Sequence, residues 1–229
     1  MIKQGHEGPA TIATVTALGP LLAERDQQSW DMADKNLEQI AQRLGVPVEQ
    51  LAVSDEVYQY PISAIPTNAE HSPLERLREL RQHLKWMNSQ TFEETTDKMD
   101  NPKRSSSDVT KARQDFQNDW TVRSFKSLVE MGYTPEQAEK LSASIVERLM
   151  KRLVITHNPD MVAGGPADLL ITFGDKRTNS SLGPTHRAAA AAYRQWLDAQ
   201  KAKNPNAIVR VDFPGYPLLD PPADDETDD

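Results

Sequence analysis

The sequence predicts a mainly α fold with a small β component, an α+β arrangement in which a helical body carries one loop-rich segment. Three observations predict it. Apolar residues recur at three-to-four spacing through several long segments, the helical period. Two of these segments open with a Ser or Thr followed by Pro and then by Glu or Gln, the grammar of a capped helix start. One stretch breaks the pattern: residues 152–183, RLVITHNPDMVAGGPADLLITFGDKRTNSSLG, gather a His, acidic residues, a Gly-Gly pair and an Asn-Ser-Ser-Leu-Gly run in a chain with only five His and ten Gly.

Taken in order, residues 1–17 read as loosely structured. PLLAERDQQSWDMADKNLEQIAQRLG reads as an amphipathic helix through Leu22, Trp30, Ala33, Leu37, Ile40 and Leu44, closed by Gly45. VYQYPISAIPTNAEH, with two Pro and no sustained period, reads as a linker. Ser72 as N-cap, Pro73 at the first helical position and Glu75 then open a helix with the apolar stripe Leu74, Leu77, Leu80, Leu84 and Met87. Residues 100–108, DNPKRSSSD, read as a polar loop. A helix through Phe116, Trp120, Phe125 and Leu128 ends at Gly132, and Thr134-Pro135-Glu136-Gln137 starts another running towards Leu153. THRAAAAAYRQWLDAQKAK (185–203) is a helix by propensity, AIVRVDF (207–213) alternates as a short strand, and the tail PPADDETDD is too polar to order itself. The four Trp fall mostly on helical apolar faces, where core packing is their default role.

Composition narrows the chemistry. With 229 residues, 38% of them apolar, the chain makes one domain with appendages or two small ones. It has no Cys, which excludes disulfides, thiolate metal sites and a Cys nucleophile. No apolar run approaches the roughly 18 residues of a membrane span. The N-terminus is a poor Sec signal, so synthesis in the cytosol is expected, with any export by a signal-peptide-independent route. Charge is uneven: residues 1–69 carry 4 Lys/Arg against 9 Asp/Glu, residues 70–213 carry 22 against 19, and residues 214–229 carry none against 6. A mildly basic middle between acidic ends permits a phosphate-binding surface without demanding one.

Within the odd stretch, Asn158-Pro159 forms a turn that sets His157 just outside and Asp160 just inside a new helical turn. Such a pair can take a proton from water, bind a metal or orient one another. Gly164-Gly165 permits close backbone approach or positive φ. Asp175 offers a second carboxylate, and Asn179, Ser180 and Ser181 offer groups of the sort that hold phosphate oxygens or a metal-bound water. The same residues also suit blander roles: a helix-start turn, a surface ion pair of Asp175 with Lys176 and Arg177, and an ordinary loop at 179–181.

THNPDMVAGG followed after a short spacer by GDKRTNSSLG resembles the type fifteen polymorphic-toxin domain, a nuclease family with an H-x-x-D motif found in bacterial effectors, type VI secretion DNases among them. Upstream, LRELRQHLKWMNSQTFEETTDKM as one long polar helix and MGYTPEQAEKLSASIVERLMKRL leading into the His fit too. The resemblance spans about residues 70–213. It leaves residues 1–69 as a helical and linker segment for loading or adaptor binding, and residues 214–229 as an acidic tail.

The resemblance implies His157 and Asp160 as the catalytic pair, with a divalent metal, Mg²⁺ foremost, held by Asp160 and Asp175. His157 would then serve as general base. Asn179, Ser180, Ser181, Lys176 and Arg177 would orient the phosphate, and Lys151 and Arg152 are further backbone contacts or simply helix-end charges. It implies a DNA substrate, a cognate immunity protein, a secretion adaptor or chaperone, and action in the cytoplasm of a recipient cell. The chain departs from the family at Pro184-Thr185-His186, where an aromatic, usually Trp, is expected after the S-S-x-G block. Two alternatives stay open: an RNase of the same architecture, and a non-enzymatic helical module, since VEMGYTPEQAEKL resembles the Met-Gly-Tyr loop of ubiquitin-associated domains.

Overall fold

A computed structural model describes residues 9–63, 73–102, 106–156, 161–165 and 172–215. Six α-helices and two two-stranded sheets make up these residues: α1 (Pro9–Leu44), β1 (Tyr58–Gln59), α2 (Pro73–Met87), α3 (Phe92–Asp100), α4 (Ser106–Glu130), α5 (Pro135–Met150), β2 (Leu153–Thr156), β3 (Thr172–Asp175), α6 (Lys176–Lys201) and β4 (Val211–Asp212). The mainly α class with a small β component is thus the observed one. No described helix is long and apolar enough to cross a membrane.

Helix α1 runs further than its sequence suggests. It begins at Pro9 rather than at Pro20, and Pro20 lies inside it. An interior Pro removes one rung of the hydrogen-bond ladder. Leu18, Leu21 and Leu22 on either side of it are packed into one apolar cluster with Phe116, Trp120 and Val146, and that burial outweighs the lost rung. Further along, Ile40 and Ala41 pack with Leu51 and Ile208. The segment preceding the predicted linker therefore lies against the body of the molecule. Of that linker, Tyr58–Gln59 form β1 and residues 64–71 lie outside the described residues, as do Ser72 and residues 216–229 of the acidic tail.

The polar stretch from Leu77 to Met99, predicted as one helix, is two. Thr91 caps α3 by accepting from the Glu94 N–H at 3.1 Å, while the Thr91 N–H donates to the Glu94 side chain, a complete capping box. The corner is held from outside: the Val209 N–H donates to the Gln90 carbonyl, and the Phe92 N–H donates to that of Ala207. Leu74, assigned to the apolar stripe of α2, is 79% exposed, whereas Leu80 and Met87 are buried. Of the predicted loop 100–108, Ser106–Asp108 already belong to α4 and residues 103–105 lie outside the described residues. The Thr134 capping box opens α5 as its sequence predicts, and Met131-Gly132-Tyr133 is the turn between α4 and α5.

Two cores result. One joins α2, α3, α6 and β4 around Tyr60, Leu80, Phe92, Tyr193 and Phe213. The other joins α1, α4, α5 and β3 around Leu21, Phe116, Trp120, Met150 and Phe173. The β2–β3 hairpin stands between them. The sequence predicts a helix running towards Leu153 and then a loop-rich segment, but α5 stops at Met150 and the β-branched run Val154-Ile155-Thr156 turns into extended pairing.

Because Thr91 is fully buried and supplies the cap between α2 and α3, Thr91→Ala is expected to cost about 1 kcal/mol. A urea titration should show a lower midpoint at unchanged slope.

Candidate functional site

The hairpin fixes the site's register. Antiparallel pairing sets Leu153 opposite Asp175, Val154 opposite Gly174, Ile155 opposite Phe173 and Thr156 opposite Thr172. At the far end the Thr156 and Thr172 hydroxyls hydrogen-bond at 2.8 Å, both buried. His157 follows Thr156 directly; His157 and Asp160 both lie outside the described residues. Asp175 stands at the opposite end of the ladder, about 10 Å away along the strands at roughly 3.3 Å per residue.

Asp175 is the N-cap of α6: its Oδ1 accepts from the Arg177 N–H at 2.9 Å and the Thr178 N–H at 3.1 Å. A carboxylate there satisfies orphan donors and complements the helix dipole. Residues 179–181, for which an ordinary loop is one reading, lie within the first two turns of α6, which begins at Lys176 and not at Thr185. Helix continuation also explains their side chains. Ser180 Oγ donates to the Lys176 carbonyl at 2.6 Å and Ser181 Oγ to that of Thr178 at 2.7 Å, bonding back along the helix. Lys176 and Arg177 are exposed on the first turn, Asn179 is half-buried, and Pro184 is carried inside the helix. The structure thus brings Asp175, Lys176, Arg177 and Asn179–Ser181 together on one helix start.

Gly164 has the predicted positive φ, +84°, and the close approach, but the approach is internal: a Cβ there would lie 2.7 Å from Thr95 Cγ2. This pins the segment after Asp160 to α3.

Sequence reasoning missed the residues that α2 contributes. Arg76, Glu79 and His83 recur at helical spacing beside the Leu77/Leu80/Leu84 stripe, and all three are buried. Arg76 Nε donates to the Ser63 carbonyl at 2.8 Å, and its NH1 group donates to Ser181 Oγ at 3.1 Å. Arg78, one residue on, forks onto both Asp26 oxygens at 2.8 and 2.9 Å, and also donates to Glu75 and to the Phe173 carbonyl.

Glu79 is different. It is 2% exposed, and neither carboxylate oxygen has a hydrogen-bond partner among the described residues. Its head lies against the hairpin: a Cβ added at Gly174 would collide with Glu79 Oε1 and stand 2.8 Å from both Glu79 Cδ and Thr156 Cγ2. Burial pushes the Glu79 carboxyl up to about 8. The Arg78 charge opposes the rise, Glu75 and Asp175 add to it, and Arg76 opposes it.

His186, where the family pattern calls for an aromatic, has a structural place. Its Nδ1 meets the Tyr60 hydroxyl at 3.1 Å and its Nε2 meets His83 Nδ1 at 3.2 Å. Its ring also packs on Tyr60, with centroids 5.4 Å apart. Burial, aided by the Arg76 charge, pushes it down to about 3, so the ring is neutral.

The donor set suits a hard cation. Glu79 presents two unpartnered oxygens, and Asp175 is close enough to raise Glu79 electrostatically while using Oδ1 for the cap. Mg²⁺ needs only a few protein oxygens and keeps several waters. Among the described residues no three acidic or His side chains converge on one point, so a complete set would draw on Asp160 as well.

Comparison with known families gives the class of this helical body: a polymorphic toxin domain. The family model described as Novel toxin 15 matches residues 74–213, from the start of α2 past β4. The chain belongs to the Novel toxin 15 family. No curated protein matches it.

The two buried groups oppose one another in their pH dependence. Glu79 is raised from 4.5 to about 8 on folding, so its stabilising contribution is complete below about 4.5 and is lost as pH rises to about 8. His186 is lowered from 6.5 to about 3, so its contribution is complete above about 6.5 and is lost as pH falls to about 3. Stability should be flat between about 4.5 and 6.5, then fall by about 2 kcal/mol towards pH 8. Glu79→Gln should abolish that upper decline in urea titrations; a decline that persists in the variant assigns it elsewhere.

Proposed function

We propose that this toxin is an antibacterial effector that hydrolyses phosphodiester bonds of DNA with the help of a bound divalent cation. The observation that carries the reading is the family match, whose span contains the H-x-x-D segment His157–Asp160 immediately after β2. The buried, unpartnered Glu79 carboxylate against the same hairpin supports it.

His157 takes the proton of the attacking water, a task matched to an imidazole's ordinary pKa of about 6.5. The water oxygen bonds to phosphorus, the bond from phosphorus to the 3′ oxygen breaks, and the departing oxygen takes a proton from solvent. Asp160 and Asp175 would hold the cation, Mg²⁺ foremost, and it would supply polarisation of the phosphoryl oxygen and stabilisation of charge on the leaving oxygen. Lys176 and Arg177, exposed on the first turn of α6, contact the phosphate backbone. Ser180 and Ser181 spend their protons on their own helix, so they act by shaping the helix start, with Arg76 fixing Ser181, and Asn179 orients the phosphate.

In the producing cell a cognate immunity protein covers the site. The toxin, made in the cytoplasm, leaves by a signal-peptide-independent route, through a type VI apparatus with its adaptor or chaperone, and acts in the recipient's cytoplasm.

Purified protein incubated with supercoiled plasmid should nick and degrade it with Mg²⁺ and not with EDTA. His157→Ala and Asp160→Ala, shown to be folded by circular dichroism, should each lower the rate at least about 100-fold. Cleavage of RNA in preference to DNA in a parallel lane would reassign the substrate. Wild-type protein that leaves both intact with Mg²⁺ and Mn²⁺ is not a metal-dependent nuclease.

A further inference from the structure

The end of the hairpin away from Thr156 carries an arrangement that its own electrostatics oppose. The register that sets Leu153 opposite Asp175 runs on by one pair, and the Lys176 N–H donates to the Arg152 carbonyl at 2.8 Å. Arg152 and Lys176 therefore stand directly across from each other, and both are exposed. Like charges so placed, with Cβ atoms about 5 Å apart, destabilise a ladder. Among the described residues neither has a carboxylate partner. The nearby acids are committed elsewhere: Asp175 caps α6, and Glu147 pairs with Lys151 at 2.9 Å.

Two further features add positive potential at the same place. Lys176 and Arg177 occupy the first turn of α6, where the helix dipole presents its positive end and disfavours cations. From the other side Arg113 of α4 reaches the turn between α5 and β2, and its guanidinium donates to the Met150 and Leu153 carbonyls, which bracket Arg152. Arg113 thereby satisfies the end of α5, and Lys151 and Arg152 lie where a helix C-terminus favours cations. Lys176 has no such local reason. Its charge opposes both the dipole of its own helix and the guanidinium across the ladder, and an anion from outside would relieve both.

We propose that Arg152 and Lys176 form a two-cation clamp for the phosphodiester backbone of a nucleic acid, in the positive potential that Arg113 and Arg177 add, and that the clamp works without metal. The cations are exposed and spread over a hairpin end and a helix turn, not closed around a pocket, which suits a polyanion whose counterions are released on binding. The inference deepens the hydrolase reading and rests on it only for nucleic acid as the polyanion. It adds Arg152, from the strand side, to the contacts made by α6, and it separates holding the backbone from cutting it. Arg152 lies four residues from Thr156, about 13 Å along β2 at roughly 3.3 Å per residue. That span corresponds to roughly four base pairs of duplex at about 3.4 Å each.

The test reads binding without chemistry. A short fluorescently labelled DNA duplex, and an RNA duplex in parallel, are titrated with the full chain in EDTA while anisotropy is followed over a range of salt. Wild type should bind, with affinity falling steeply as salt rises. Lys176→Ala should weaken binding and reduce the slope of log affinity against log salt by about 1, the loss of one phosphate contact. Arg152→Glu sets an opposite charge across from Lys176, so it should weaken binding at least about 10-fold while melting no lower than wild type. A lower melting temperature in Arg152→Glu with DNA affinity unchanged marks a structural role and overturns the proposal. Affinity and salt slope unchanged in both variants, or no binding of either duplex by wild type, overturns it equally. So does binding of anionic phospholipid vesicles by a protein that binds neither duplex. Plasmid cleavage with Mg²⁺ by the same proteins separates the two readings. Wild-type cleavage with duplex affinity intact in both variants removes the clamp and leaves the hydrolase. Metal-free binding lost in the variants, with neither DNA nor RNA cleaved by wild type, removes the hydrolase and leaves the clamp.

Discussion

Phe173 joins the two halves of this molecule, and the geometry of the hairpin depends on it. Its ring stacks on Phe116 with centroids 3.8 Å apart, inside the core built by α1, α4 and α5. Its carbonyl accepts from Arg78 on α2, which belongs to the other core. One residue thus anchors β3 to α4 by its side chain and to α2 by its backbone. A two-stranded ladder of four residues would be marginal by itself. Packed on both sides, it becomes a rigid mount, and the segments that leave its ends inherit fixed starting points.

Charge is placed unusually deep around this mount. Arg78 meets Asp26 and Glu75 in a partly buried fork, and burial still holds Asp26 above the ordinary carboxylate range despite its partner. Ion pairs of this depth contribute little net stability, because desolvation consumes most of the Coulombic gain. Their effect is positional: Arg78 has fork geometry to satisfy and can do so only with α1, α2 and β3 in one arrangement. The exposed pairs elsewhere, such as Lys140 with Glu136, have no such consequence. Glu79, one residue from Arg78 and without a donor, is the exception in a neighbourhood where other charges are compensated.

The helices were legible because their signals are local. Apolar spacing through Phe116, Trp120, Phe125 and Leu128 locates α4, and the Thr134-Pro135-Glu136-Gln137 start that locates α5 is a complete capping box. Errors arose where a local signal competes with tertiary contacts. Gly19-Pro20 reads as a break, yet Leu18 and Leu21 hold the helix through it. Asn179-Ser180-Ser181 and Gly183-Pro184 read as loop, yet Asp175 caps a helix that starts before them, and the Ser hydroxyls bond within it. Four-residue strands carry too little periodicity to be seen. Glu79 shows the deeper limit: a charged residue beside an apolar stripe is visible in the sequence, but what opposes it is not, since Gly174 lies far along the chain.

The H-x-x-D segment is marked in the sequence because its residues stand close together along the chain, whereas the elements that flank it come from distant parts of it. Thr156 and Thr172 close the hairpin just before the motif, and Gly164 is seated against Thr95 of α3 just after it. The ends of the motif are thereby tied to β2 and to α3, elements belonging to different cores, and α2 reaches the same hairpin through Arg78 and Glu79. A catalytic segment gains accuracy when its flanks are held by packed elements rather than by its own loop contacts. The matched region accordingly starts at α2, far upstream of the motif, for α2 supplies both the clamp on β3 and the buried acid beside it. Truncating the domain to the segment after α5 would remove α2, and with it the Arg78 clamp on β3.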